Sequence, residues 1–379
     1  PSAIDATEFI RDNIKDVSGG RNSKNVFNGS LYFWDHFGQQ NTHILAEYVG
    51  GYAVLNLSGG IPGVSNDTRI NNNGQAGSKS PNRFIPVGQG FFVNATIDEN
   101  SNYNFGIDGG LLTFKNNQRV YARENPGNSQ FLAPEQNNKL GIQTKKNTSD
   151  VRQKIRLKFE SPKGYHRQIL ATADLNASKD FDLGYDAPLI ENNKEDMYWL
   201  IENSKYVIQG VSDFEPEIKL PIGVRIAENK DFSIRIDSLE NWRAYKEILL
   251  EDTKLDSVHN LRDGEYISKD SIGEVNDRFA IIFKYPNLEE NEDPLPRLDS
   301  RLDIGYYNDP DILQLKNPEQ LAIYEILIYD LTGKLLKRYQ DITPNKEVNI
   351  KMEDVPIGTY IIKLYSENGE LNKKFLVKK

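Results

Sequence analysis

Residues 359–379 read TYIIKLYSENGELNKKFLVKK. Two β-rich runs, Tyr360–Tyr365 and Leu371–Val377, flank Asn368-Gly369. Asn-Gly between such runs is a strong hairpin signal, because the favoured two-residue turn needs φ > 0 at both central positions. Upstream, Pro356-Ile357-Gly358 predicts a type I turn, with Pro at its second position and Gly at its fourth. Val348–Lys351 reads as a short strand. Tyr324–Tyr329 and Lys334–Tyr339 read as a strand pair joined at Asp330-Leu331-Thr332-Gly333. About seven strands in this block, residues 301–379, predict a small Ig-like β-sandwich.

The stretch before it, Asn287–Arg297, reads NLEENEDPLPR, acidic and with two prolines. A linker at 288–300 follows from that composition. Residues 147–287 read as a β-sandwich module. Ile155, Leu157 and Phe159 alternate with Arg156 and Lys158, the period-2 pattern of a strand with one buried face. Tyr198–Ile201, Phe232–Ile236, Ile248–Leu250 and Phe279–Tyr285 are similar, and short strands at this spacing suggest a jelly roll or sandwich.

Residues 1–146 read as a further β-rich module. It opens on a short helix, Ala3 to about Asn13, capped by Ser2 with Ile10 and Ile14 on one face. Strands are expected at Leu31–Phe37, Thr42–Val54, Arg83–Asn94 (with a glycine kink) and Leu111–Tyr121. Ile61–Ser80 reads as a long loop and Glu124–Ser149 as a polar connector. The fold class is therefore all-β: jelly-roll or sandwich-like modules, then a small sandwich. With no initiator Met and no signal peptide at Pro1, the chain reads as the C-terminal part of a larger protein.

Of the 379 residues, 46 are Lys or Arg and 55 are Asp or Glu, giving a net charge of −9. Such a surface lacks the basic footprint that nucleic acid requires. The chain has no cysteine, which excludes disulfides, thiol nucleophiles and Cys-ligated zinc. No apolar run reaches the roughly 20 residues of a membrane span.

The chemistry the residues could carry is sparse. The histidines are His36, His43, His166 and His259. Asp35-His36 with His43 could seed an acid–base or metal site, but residues an odd number apart on a strand point to opposite faces. Asp180, Asp182 and Asp186 around Gly184 offer the oxygen-rich turn of a structural calcium site. The distal Glu of the twelve-residue calcium loop is missing, so a hydrogen-bonded Asx turn is preferred and no cofactor is assigned. Gly88-Gln89-Gly90 lacks the third glycine of a dinucleotide fingerprint. No Ser elbow, HExxH or P-loop occurs. Trp34, Trp199 and Trp242, with Tyr32 and Tyr52, could stack on sugar rings, against the plainer role of core packing.

The C-terminal block, residues 301–379, resembles a known family. Leu327-Ile328-Tyr329-Asp330-Leu331-Thr332-Gly333-Lys334-Leu335, then Val355-Pro356-Ile357-Gly358-Thr359-Tyr360-Ile361-Ile362-Lys363-Leu364, then Lys374-Phe375-Leu376-Val377-Lys378-Lys379 at the terminus resemble the type A C-terminal sorting domain of the type IX secretion system. The resemblance implies export through the periplasm and outer membrane to the cell surface or medium. It implies as partners a PorV-like outer-membrane shuttle protein, the translocon pore and a sortase-like surface peptidase. Because a small sandwich exposes edge strands that a partner can extend, recognition is expected at Gly358, Thr359 and Tyr360 and at the terminal Phe375, Leu376, Val377, Lys378 and Lys379. Against that stands the plainer reading of Pro356, Gly358 and Gly369 as turn residues, and of Lys373, Lys374, Lys378 and Lys379 as a solvated face and tail.

Further upstream, Pro1-Ser2-Ala3-Ile4-Asp5 with Phe9-Ile10, Leu31-Tyr32-Phe33-Trp34-Asp35-His36, Gly50-Gly51-Tyr52-Ala53, Gly88-Gln89-Gly90-Phe91-Phe92-Val93 and Gln118-Arg119 are similar to segments of large flavobacterial (Bacteroidota) surface, adhesin-like proteins that end in this domain. The expectation is a secreted, non-catalytic region. Two rivals stand beside it: a glycan-binding adhesive module, and the accessory region of a secreted enzyme whose catalytic domain lies upstream.

Overall fold

The computed structural model describes residues 2–36, 43–44, 49–64, 79–95, 106–122, 150–242, 246–284, 301–342, 345–366 and 369–378. The expected linker at 288–300, the connector at 124–149 and most of the loop at 61–80 lie outside the described residues. The chain forms two compact units, Pro1–Lys284 and Tyr285–Lys379, and its elements are nearly all strands.

In the first unit an eleven-stranded sheet runs in the order Ser257–Asn260, Glu247–Asp252, Gly273–Lys284, Lys219–Ile226, Asp196–Ile201, Ser204–Val211, His166–Ala173, Lys154–Glu160, Asp231–Glu240, Tyr266–Lys269, with Ala187–Pro188 beside Ser204–Val211. Along this path neighbours are antiparallel except Ser204–Val211 and His166–Ala173, which are parallel. Ile155, Leu157 and Phe159 are fully buried, as their alternation predicts. They share one core with Ile169, Trp199, Ile222, Ile234, Leu250 and Ile281 from strands along the whole path. One face thus buries against itself, which curls the sheet into a near-barrel.

The two ends of the curl meet at a buried arginine. Arg278 donates from Nε to Asp252 Oδ1 (2.8 Å), from Nη1 to Asp270 Oδ2 (2.7 Å) and from Nη2 to Ser268 Oγ (2.8 Å). The Tyr266 hydroxyl donates to Asp252 Oδ2 at 2.5 Å. Asp252 lies near one end of the strand path, and Tyr266 and Ser268 lie on its last strand. Burial works against ionisation of Asp252, but the Arg278 and Tyr266 hydrogen bonds overcome it and hold the carboxyl down at about 2.

A smaller sheet, in the order Gly60–Ile61, Gly50–Leu55, Leu31–His36, Phe92–Val93, covers the outside of the curl. Tyr32, Val54 and Ile61 pack against Leu170, Ala187, Tyr198 and Ile208. Its other face, with Leu31, Phe33, Ala53 and Leu55, packs against Phe9 and Ile10 of the helix and against Ala177 and Tyr185. The core is therefore continuous across the boundary at 146/147 that the sequence suggests.

Three local expectations are corrected. The helix spans Ala6–Asn13, and its cap is Asp5, whose Oδ1 accepts from the backbone of Thr7 (3.0 Å) and Glu8 (3.4 Å). Ala3–Asp5 is instead a strand between Phe84–Ile85 and Arg119–Val120, and the Ser2 hydroxyl accepts from Arg119. Arg83–Asn94 is not one strand. Phe84–Ile85 and Phe92–Val93 join different sheets around a turn in which Gly88 has φ +81°. In Leu111–Tyr121 only Arg119–Val120 is extended in a sheet, preceded by a 3-10 turn at Asn116–Gln118. That turn brings Asn117 and Gln118 onto buried Asp12, a polar anchor that hydrophobic periodicity does not reveal.

The second unit is a seven-stranded antiparallel sandwich. One sheet is Asp303–Tyr307, Ile312–Lys316, Glu347–Lys351; the other is Leu335–Ile342, Ile323–Asp330, Gly358–Ser366, Gly369–Val377. Leu313, Leu315, Ile326, Ile328, Ile350, Ile362, Leu364 and Val377 fill the space between them. At the Asp330 turn one carboxylate oxygen accepts from the amides of Thr332 (2.8 Å) and Lys334 (3.0 Å), while Gly333 takes φ +85°. That is the Asx-turn chemistry for which Asp and Gly are suited.

Candidate recognition surface

The residues singled out near the C-terminus converge at one end of the last hairpin. Gly358–Ser366 and Gly369–Val377 pair along their full length, placing Gly358 opposite Val377, Thr359 opposite Leu376 and Tyr360 opposite Phe375. Tyr360 and Phe375 point into the sandwich with ring centroids 5.9 Å apart. The Tyr360 hydroxyl donates to the carbonyl of Pro356 at 2.7 Å. A tyrosine returning its hydroxyl to the chain a few residues upstream pins the corner of a Greek-key sandwich. A Cβ on Gly358 would stand 3.3 Å from that hydroxyl, so the small residue leaves room for the corner. The hydrogen-bonded turn here is Met352 to Val355 (2.9 Å), just upstream of the turn expected at Pro356-Ile357-Gly358.

Gly369–Val377 is the outer strand of its sheet. Leu371, Phe375 and Val377 face inward and are buried; Asn372, Lys374, Leu376 and Lys378 face outward and are exposed. Two apolar side chains are left to solvent near this end, Leu376 at 45% and Ile357 at 65% exposure. Lys379 lies outside the described residues. Lys373 is exposed, as the solvated-face reading expects. It has the parity of the inward residues, and its ammonium donates to the Ile304 carbonyl at 3.0 Å.

The other candidates are not gathered into a site. Asp35 is buried 3.7 Å from the Lys79 ammonium, and burial pushes its carboxyl up; His36 beside it is exposed. His43 is exposed, His166 is buried, and His259 packs against Tyr266 at 5.5 Å. Asp186 accepts from the amides of Gly210 (2.7 Å) and Asp182 (2.6 Å), and Asp182 accepts from the Ser178 hydroxyl (2.9 Å). These bonds run to residues four earlier and across to Gly210, not to the backbone two residues on as in the expected Asx turn, and burial pushes Asp186 well above the usual range. Among the described residues no group of three or more His, Asp or Glu is arranged to hold a metal ion.

Trp199 is fully buried with its indole N–H on the Leu170 carbonyl (2.9 Å), and Tyr32 is also buried. Trp242 packs on Phe214 and Phe283. Trp34 and Tyr52 are half-buried edge to face at 5.1 Å. Sequence periodicity missed the buried charges. Arg167 holds Asp196 through Nε (2.6 Å) and Nη2 (2.9 Å) and reaches Glu191 at 3.1 Å.

Comparison with known proteins completes the assignment. Residues 1–283 match the family described as Domain of unknown function (DUF8693). The chain belongs to that family. Residues 310–378 match the Secretion system C-terminal sorting domain. The DUF8693 region is thus followed by a type IX sorting domain, and the protein is exported to the cell surface or the extracellular space. No curated protein matches the chain. Among the described residues no helix is long and apolar enough to cross a membrane.

Proposed function

We propose that the C-terminal sandwich delivers a non-catalytic, adhesin-like DUF8693 passenger by docking the end of its last hairpin on a PorV-like outer-membrane shuttle protein, which hands it to the translocon pore. The contact lies at the accessible edge around Gly358, Thr359 and Leu376 and the chain end to Lys379, with buried Tyr360, Phe375 and Val377 holding that end in place. A sortase-like surface peptidase then removes the sandwich. One observation carries this placement: an outer strand ends at the C-terminus beside two exposed apolar side chains, Leu376 and Ile357. An edge strand offers unpaired backbone groups to a partner, and exposed apolar groups add area to be buried.

Deletion of residues 301–379 tests the export role, with cell fractions probed for the passenger. The reading requires accumulation in the periplasm; delivery to the surface by the deleted protein rejects it. For the contact itself, Leu376→Asp should abolish co-purification with the shuttle while the sandwich stays folded.

A further inference from the structure

The inward side of the last strand carries one residue that packing alone does not explain. Lys373 lies between Leu371 and Phe375, opposite fully buried Ile362. The Lys373 side chain is 44% exposed, and its stem runs along the margin of the core to the other sheet. Its ammonium lies 3.0 Å from the Ile304 carbonyl and 3.7 Å from the Asp303 carboxylate. Both residues belong to Asp303–Tyr307, the outer strand of that sheet. The same strand supplies a second tie. The Tyr306 hydroxyl stands 3.0 Å from the Lys378 carbonyl and 2.7 Å from Asp311 Oδ1, with one proton to share between them.

We propose that Lys373 and Tyr306 are positioning residues of the export signal, a two-point latch that holds the last strand in register and presents the chain end. This rests on reading the sandwich as the element the export machinery recognises. A terminal strand bonded on one edge frays unless it is tied down. The Gly358–Ser366 strand secures one edge, and the latch secures the strand from the opposite sheet. A lysine on an edge strand also discourages pairing with a second copy, so the edge stays open for its partner.

The test compares four variants of the full protein in its native host: Lys373→Met with Tyr306→Phe, Tyr306→Phe alone, Lys373→Arg, and deletion of 301–379. Surface and periplasmic amounts are measured, with amide exchange on the purified proteins. The double variant should exchange about tenfold faster at residues 371–378, from loss of a charged and a neutral hydrogen bond, with unchanged exchange at Ile326 and Ile328. Its export should fall in parallel. Tyr306→Phe, which removes only a hydroxyl, should give a smaller effect of the same kind, and Lys373→Arg should export as the parent does. Wild-type export by the double variant, or reduced export without faster exchange at 371–378, overturns the latch. If the deletion itself reaches the surface, the sorting reading fails. If only the deletion is blocked, the latch alone fails.

Discussion

Tyr360 and Phe375 face one another across the last two strands, ring centroids 5.9 Å apart and planes 37° from parallel. Tyr360 is tied at its other end to the Pro356 carbonyl. The pair joins the corner of the sandwich to the strand that carries the chain end. Tyr360→Phe keeps the ring and deletes the tie, so it should cost about 1 kcal/mol in denaturant unfolding of the C-terminal sandwich.

Stability and recognition should separate along the last strand. Phe375 is buried, and Phe375→Ala should cost about 3–5 kcal/mol, through the lost burial and the cavity left behind. Leu376 points outward at 45% exposure. Leu376→Ser should stay within about 0.5 kcal/mol of the parent yet reduce export strongly. Equal losses of stability in both variants would contradict the assignment of their faces.

The arginine clasp of the first unit should be brittle. Asp252 and Arg278 are both buried, and Asp252→Asn leaves the guanidinium short of its counter-charge. Breaking a buried pair from one side costs about 3–5 kcal/mol. Calorimetry of the parent and of this variant checks the value.

Acid should act on the first unit in two separate windows. His166 is buried, neither ring nitrogen has a hydrogen-bond partner among the described residues, and burial with Lys158 nearby holds it below its ordinary 6.5. The unfolded chain therefore takes up this proton first. Stability falls as pH drops below about 6.5 and levels off below the folded value. Asp252, held at about 2, contributes stability that is lost only as pH falls from about 4 towards 2. His166→Gln should flatten the first decline in melting temperature and leave the second. An unchanged slope between about pH 7 and 5 would contradict the His166 assignment.

Strands with one buried face were legible in the sequence. Ile155, Leu157 and Phe159 show which side faces inward because burial on a strand has period two. The hairpin at the C-terminus was legible from Asn368-Gly369, although Asn368 lies outside the described residues. Short pairings such as Ala3–Asp5 with Phe84–Ile85 were not, since a few residues carry no period. Asp5 rather than Ser2 caps the helix because the chain stays extended through residue 5. The buried charges Arg167, Asp196, Arg278 and Asp252 give no sign in the sequence, because charged residues are rarely fully buried unless paired and the pairing is set by tertiary folding. Lys373 is exposed, as read, but a lysine among lysines gives no sign that its ammonium reaches the Ile304 carbonyl of the other sheet.

Transfer of the signal provides the sharpest measurement. Residues 285–379, fused behind a folded periplasmic reporter in a host with a working type IX system, should carry the reporter to the cell surface, while the same fusion ending at residue 374 stays in the periplasm. Retention of the full fusion in the periplasm, or surface delivery of the shortened one, would contradict an export signal read at the end of the last strand.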